Sequence, residues 1–410
     1  MDTQLPVAAR LEVAELFRGV RARGLLPPGM SPEQRSAARA IERCRTAALG
    51  GHLMRCLACG LERPRYNSCR NRHCPRCQGL AQARWLEARM ARMLPVPCFH
   101  VVFTLPEQLR SLARLNPRLL YALLFRSASR TLLKVAADAR WVGGLPGITC
   151  VLHTWRRDLG YHPHLHCLIT AGGLDPDGQR WHDADPNLLA PVRVLGRVFR
   201  GMFMEGLLQL KARRELVLPP EVQEPRAFQD LVDGLYGKRW QVFAKRPFGG
   251  ARQVFEYLGR YTHRVAISSA RLRAFDGATV TFATRGDLLV QLPVEVFVAR
   301  FLQHVLPRGF TKIRHTGLWA PSNLSTRLAT ARALLAGRVE HEVEAAGVGG
   351  AEAEPEATNE GDGWASLLLT LTGLDAERCP GCGQRALIEV PIPAPTPKPA
   401  ARAPPNRGGP

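Results

Sequence analysis

The stretch GITCVLHTWRRDLGYHPHLHCLIT (147–170) decides how this chain folds. Its ends, GITCVLHTW (147–155) and HLHCLIT (164–170), are apolar runs rich in β-branched residues, and the polar RRDLGYHP lies between them. Two such runs across a short polar connection read as the arms of an antiparallel hairpin. Successive strand residues point to opposite faces, so His164 and His166 project together while Leu165 enters the other layer. Two imidazoles on one pleat are half of a metal site. A His-x-His pair by itself is more often a pair of surface side chains. His153 shifts that balance: it lies eleven residues before His164, and a simple register sets it opposite the pair on the same face. Two strands then offer three ligands.

Outward from the hairpin, CFHVVFT (98–104) reads as a further buried strand. Residues 107–140 carry helical spacing on both sides of Pro117, which predicts one broken helix or two in succession. ATVTFAT and LLVQL flank Arg285-Gly286-Asp287, a hairpin turn, and VEVFVARFLQHVL (294–306) is helical in period. No βαβ unit repeats. The fold class is therefore α+β, a small antiparallel sheet with helices packed on it.

ARQVFEYLGRYTHRVAI (251–267) reads as a helix bearing Tyr257 and Tyr261. Residues four apart share one helical face, and Arg260, His263 and Arg264 lie beside them. A pair of core aromatics is the plain alternative, yet tyrosine is scarce here, with six in the chain. A phenol of pKa about 10 is a poor nucleophile in water. It serves when a metal polarises the group attacked and cations stabilise the developing charge. For the third metal ligand His153 ranks first, Gln253 (four residues before Tyr257) second and His100 third. Imidazole donors favour Mn²⁺ over Mg²⁺, which prefers oxygen.

Cysteines mark a separate region. Of eleven, six fall between Cys44 and Cys77, and the odd total argues against a disulfide framework. Two C-x-x-C knuckles, Cys56/Cys59 and Cys74/Cys77, stand fourteen residues apart, the pattern of one tetrahedral Zn²⁺. Cys44, His52, Cys69 and His73 are candidates for a second zinc. Cys379-Pro-Gly-Cys382 is another half-site, with no partner pair nearby in the sequence.

The chain holds 56 Lys+Arg against 35 Asp+Glu over 410 residues, a net charge of +21, and only six of the cations are lysine. Codon bias explains part of the arginine excess but not its sign, which points to a polyanion, foremost nucleic acid. The first 97 residues carry 17 Arg against 7 acids alongside the zinc candidates. Arg260, Arg264, Lys245 and Arg246 are candidates for phosphate contacts. No apolar run reaches the ~18 residues of a membrane span, and the first twenty residues do not read as a signal peptide. A G-x-x-x-x-G-K-[ST] nucleotide loop is absent from the sequence. Residues 340–362 hold eight acids and read as an acidic linker; 391–410 hold eight prolines and read as a disordered tail.

The pair His164/His166 with Tyr257 and Tyr261 resembles the HUH, two-tyrosine motif of rolling-circle transposases of the insertion sequence 91 family. Six ordered blocks carry the resemblance: CRTAALGGH (44–52), YNSCRNRHCPRCQ (66–78), FHVVFTLP (99–106), HPHLHCLITAGG (162–173), YLGRYTHRVAIS (257–268) and FLQHVLPRGFTKIRHTGL (301–318). It covers about residues 10–325. The resemblance implies an N-terminal helical segment (1–40), a zinc-binding domain (41–95) and an HUH nuclease domain (96–325), followed at 326–410 by linker, knuckle and tail. It also implies cleavage of single-stranded DNA at element ends through a 5′-phosphotyrosine, with Tyr257 and Tyr261 as nucleophiles and His164 and His166 holding Mg²⁺ or Mn²⁺. A bacterial cytoplasmic, nucleoid-associated protein follows, without nucleotide cofactor; a homo-oligomer is compatible with it. Rival readings are a plasmid replication initiator or relaxase of the same chemistry, and a domesticated zinc protein that binds DNA without cutting it.

Overall fold

The computed structural model describes residues 11–77, 79–246, 266–346 and 375–395. Two units divide the chain, Met1–Ala38 with Pro75–Ala351 and Arg39–Cys74 with Glu352–Pro410. The smaller one is thus discontinuous. It joins the cysteine-rich hairpin to the C-terminal segment, which the sequence reading had kept apart as linker and tail.

In chain order the strands are β1 (Gly51–Cys56), β2 (Glu62–Tyr66), β3 (Cys98–Thr104), β4 (Gly147–Trp155) and β5 (Tyr161–Thr170). Then come β6 (Gly172–Leu174), β7 (Trp181–Asp183), β8 (Val242–Lys245) and β9 (Leu272–Phe275). Last are β10 (Thr279–Ala283), β11 (Leu289–Pro293), β12 (Ile313–Gly317) and β13 (Leu387–Ile392). The larger unit is built on the five-stranded sheet β12-β4-β5-β3-β8, antiparallel at every pairing.

Alternation gives this sheet two different faces. Phe99, Val101 and Phe103 of β3, Ile148, Cys150 and Leu152 of β4, and Leu165, Cys167 and Ile169 of β5 enter one core. That core is closed by the helices Pro117–Ala137 and Val192–Ala212, with the Phe103 and Phe199 rings 4.8 Å apart. Each of the Val, Leu, Ile and Phe side chains among them contributes about 1.5–3 kcal/mol on leaving water. The intervening residues, the histidines among them, face the other way.

Most of the expected elements are present, with differences that have physical causes. Pro117 opens the longer helix after a short one at Arg110–Leu115, because proline is tolerated in a first turn and not within a helix. β5 starts at Tyr161 rather than at His164, so the connection shrinks to Arg156–Gly160. Pro163 is accommodated there beside a register shift between His153 and Trp155. The hairpin around Arg285-Gly286-Asp287 forms as β10 and β11, and the helix after it spans Val294–Leu302. The helix Arg327–Ala346 occupies the start of the acidic stretch, and β13 places Pro391 and Ile392 in a sheet, a correction to the disordered-tail reading. The helix expected at 251–267, with Tyr257, Tyr261 and Gln253, lies almost wholly outside the described residues. Among the described residues no helix is long and apolar enough to cross a membrane.

One buried histidine ties the key hairpin to its surroundings. His304 accepts from Thr154 Oγ1 on β4 through Nδ1 (3.1 Å) and donates from Nε2 to the Leu159 carbonyl in the connection (3.1 Å). Burial pushes its pKa down to about 3. Because the unfolded imidazole titrates near 6.5, the unfolded chain binds the extra proton between about pH 6.5 and 3, and stability must fall as pH drops through that window. We expect urea midpoints to decline over this range. His304→Gln, less stable at pH 7, should lower the slope by one proton, about 1.4 kcal/mol per pH unit.

Candidate metal centre on the sheet face

His153 stands directly opposite His164 in the β4–β5 ladder, and His166 lies two residues on along the same pleat. Ligand nitrogens of His153, His164 and His166 all lie within 4.8 Å of one another, close enough for one ion to span. Ring centroids are 4.4 Å apart for His153–His166, 4.9 Å for His164–His166 and 5.4 Å for His153–His164.

Neighbouring groups fix these rings. His164 donates from Nδ1 to the His162 carbonyl at 2.7 Å, which leaves Nε2 as its free lone pair. Nδ1 of His166 lies 2.9 Å from Nε2 of His100 on β3, and the two ring planes are nearly parallel, at 5°. With the proton on Nδ1 of His166, that ring too offers Nε2. His153 stacks on Trp155 at 4.7 Å. His100, the third-ranked ligand by sequence, is therefore a partner that orients His166. No sequence signal separated those two roles, because both need only an imidazole on an adjacent strand.

Burial keeps two of the donors neutral. Burial lowers the pKa of His164 to about 4 and that of His166 well below the usual histidine range. His100 is held at about 4 by burial, with the Lys245 charge adding to it. A metal binds neutral imidazole, so the rings need release no proton at neutral pH. Three imidazoles and no carboxylate suit Mn²⁺ better than Mg²⁺. Lys245 pairs with His100 in the β3–β8 ladder, and Arg246 follows it at the surface. Arg260 and Arg264 lie outside the described residues.

Cysteines form two tetrads, grouped differently from the sequence expectation. The knuckles Cys56/Cys59 and Cys74/Cys77 do not meet. Cys74 and Cys77 group with Cys44 and Cys69, whereas Cys56 and Cys59 group with Cys379 and Cys382. Neither His52 nor His73 belongs to a tetrad. His52 lies in β1, between β2 and β13. The His73 ring turns to Asn71, with Nδ1 3.2 Å from Oδ1, and four sulfurs already complete a tetrahedral Zn²⁺ without it. The four sulfurs of the first tetrad lie within 4.8 Å of one another, compatible with the roughly 3.8 Å edges of a zinc–thiolate tetrahedron whose bonds are about 2.3 Å.

The sequence places this chain among known proteins. Residues 147–326 match a family model described as "Putative transposase", and residues 16–105 match one described as "Transposase zinc-binding domain". The "Putative transposase y4qJ" of Sinorhizobium fredii (strain NBRC 101917 / NGR234) is 42% identical over 391 residues, 93% of this chain and 95% of that protein. The chain belongs to the insertion sequence 91 transposase family. The "Transposase for insertion sequence element IS801" of Pseudomonas savastanoi pv. phaseolicola is 33% identical over 263 residues, 62% of each chain. Among solved structures, a conjugative relaxase TrwC in complex with oriT DNA aligns over 57% of this chain and 94% of its own, at 13% identity and a TM-score of 0.24.

The histidine geometry has a direct consequence. Mn²⁺ titrated into the protein, followed by calorimetry or by loss of the free-ion electron paramagnetic signal, should bind one ion per chain at this centre. His153→Ala, His164→Ala and His166→Ala should each abolish that binding. His100→Ala, which removes an orienting partner and not a ligand, should weaken it about 10- to 100-fold.

Proposed function

We propose that this transposase cuts single-stranded DNA at the ends of its element and rejoins it elsewhere, with Tyr257 and Tyr261 as nucleophiles. The observation that carries the reading is the three-histidine cluster on one face of the antiparallel sheet, with ligand nitrogens within 4.8 Å of one another and the His164 and His166 pKa values lowered by burial. It occurs in a transposase chain that also bears a tyrosine pair at helical spacing. Placement of the other tyrosines supports it. Tyr121 and Tyr161 are buried and share a hydroxyl hydrogen bond of 2.7 Å, with both phenols pushed up by burial. Tyr66 belongs to β2, and Tyr236 packs under Arg200. Tyr257 and Tyr261 are the pair at helical spacing that the reading uses.

The step balances on this chain's own groups. A tyrosine oxygen forms a bond to the scissile phosphorus while the bond from phosphorus to the 3′-oxygen breaks. The phenol proton passes to the departing oxygen, leaving a 3′-OH and a 5′-phosphotyrosine. Attack by another 3′-OH reverses the exchange, so no nucleotide is consumed. His153, His164 and His166 would hold Mn²⁺ or Mg²⁺, which supplies charge opposite the phosphate oxygens when bound. His100 keeps His166 aimed, and Lys245, Arg246, Arg260 and Arg264 supply cations along the DNA backbone. The basic, cysteine-rich N-terminal part is the part proposed to grip the element end.

Labelled single-stranded oligonucleotides spanning the element ends test this reading. With Mn²⁺ they should give a covalent protein–DNA adduct that survives denaturation, fails to form in EDTA and disappears in Tyr257→Phe/Tyr261→Phe. His164→Ala/His166→Ala should lower adduct formation at least 100-fold with folding intact. Binding at the ends without any adduct would favour the domesticated reading. An adduct that persists in the double tyrosine variant would sink the assignment of the nucleophiles.

A further inference from the structure

Cys379 and Cys382 face Cys56 and Cys59 across more than three hundred residues of chain. The Sγ atoms of Cys56 and Cys382 are 3.7 Å apart, as are those of Cys59 and Cys379, and all four sulfurs lie within 4.8 Å of one another. A disulfide needs about 2.05 Å. The edge of a zinc–thiolate tetrahedron is about 3.8 Å, from Zn–S bonds of about 2.3 Å. These four thiols have the second geometry.

The two knuckles also share one backbone design. In each, the first cysteine's carbonyl accepts from the glycine four residues on: Gly60 to Cys56 at 2.9 Å and Gly383 to Cys379 at 2.8 Å. Its N–H donates to the carbonyl of the next residue: Cys56 to Leu61 and Cys379 to Gln384, both 2.9 Å. Gly60 (φ 73°) and Gly383 (φ 74°) occupy the left-handed region that closes such a turn. The Gly381 N–H also points at Cys379 Sγ, 3.4 Å away, as it would toward a thiolate. Two matched turns that present four sulfurs to one point are a built metal cage.

We infer that Cys56, Cys59, Cys379 and Cys382 hold a structural Zn²⁺ that staples the C-terminal segment to the first hairpin. β13 needs such a staple. It pairs antiparallel with β1 from Gly51↔Ile392 to Cys56↔Leu387, yet four of its six residues are exposed, Ile388 and Val390 among them. A strand with so little buried apolar surface adds little by burial, and a small isolated ladder is marginal in water. The metal supplies what the missing core does not. On this reading the residues between the two knuckles are an insertion within a metal-closed module, and the smaller unit completes itself only once the second knuckle arrives.

The full-length protein, purified without chelator, is the test material, and zinc per chain is the readout. Wild type should carry two Zn²⁺, one in each tetrad. Cys379→Ser/Cys382→Ser and Cys56→Ser/Cys59→Ser should each carry one, and the variant combining all four substitutions should still carry one. Co²⁺ substitution should show thiolate charge-transfer absorption that falls by half in each double variant. Limited proteolysis should release the segment after residue 374 rapidly from Cys379→Ser/Cys382→Ser and slowly from wild type. Cys382→His, which keeps a ligand, should retain both ions and the slow cleavage, separating loss of metal from a general folding defect. Two Zn²⁺ retained by Cys379→Ser/Cys382→Ser, or one in wild type, would overturn the inference. None of these outcomes depends on DNA cleavage, so the inference and the nuclease reading fail separately.

Discussion

The β4–β5 ladder is the constraint on which the larger unit depends. Its register does two things at once. It sets Leu152 against Leu165 and Cys150 against Cys167 on the face that helices cover, and it sets His153 against His164 on the other. A slip of one residue would exchange the faces, burying imidazoles among phenylalanines and turning leucines outward. Hydrophobic burial therefore specifies the histidine constellation indirectly. Core residues hold the register, and the register aligns the histidines. The shift between His153 and Trp155 falls just beyond the last ligand pair, where β5 also has to accommodate Pro163.

Local patterns in the sequence were enough for the three central strands of the sheet and for the proximity of His153 to His164. β3, β4, the hairpin β10–β11 and the break at Pro117 follow from period, turn residues and proline chemistry, all of which act within a few residues. The proximity of His153 to His164 was legible because two strands joined by a short connection admit few registers. What could not be read depends on long-range pairing. β8 and β12 are short edge strands without a strong period, and their partners lie far off in sequence. The division of labour between His100 and His153 was hidden for the same reason, since it turns on which ring nitrogen points where.

The cysteine pairing failed for a more instructive reason. Proximity in sequence favoured joining Cys56/Cys59 to Cys74/Cys77. A finer signal argued otherwise. Cys-x-x-Cys-Gly occurs at 56–60 and again at 379–383, whereas Cys77 is followed by Gln78. The glycine is what lets the knuckle turn back on itself, so matched knuckles share it. The Pro-rich reading of 391–410 began two residues early, because composition measures the capacity to bury a core and Pro391 and Ile392 belong to β13. A strand held by a ladder and a nearby sulfur cage needs little core.

On the proposed readings the two kinds of centre differ in the charge left to the ion. Three neutral imidazoles leave a divalent ion its full double positive charge, with coordination positions open to a phosphate oxygen. Four thiolates more than cancel it, closing the shell and leaving nothing for Lewis acid chemistry. Burial explains why the histidines can play the first part. Desolvation that pushes His164 to about 4 keeps its lone pair available without any nearby carboxylate, and the described group at the sheet contains none. A carboxylate there would neutralise the ion and repel the backbone that it must meet. The chain's +21 charge acts in the same direction, since it concentrates the polyanion around a centre that itself has no fixed charge until an ion enters.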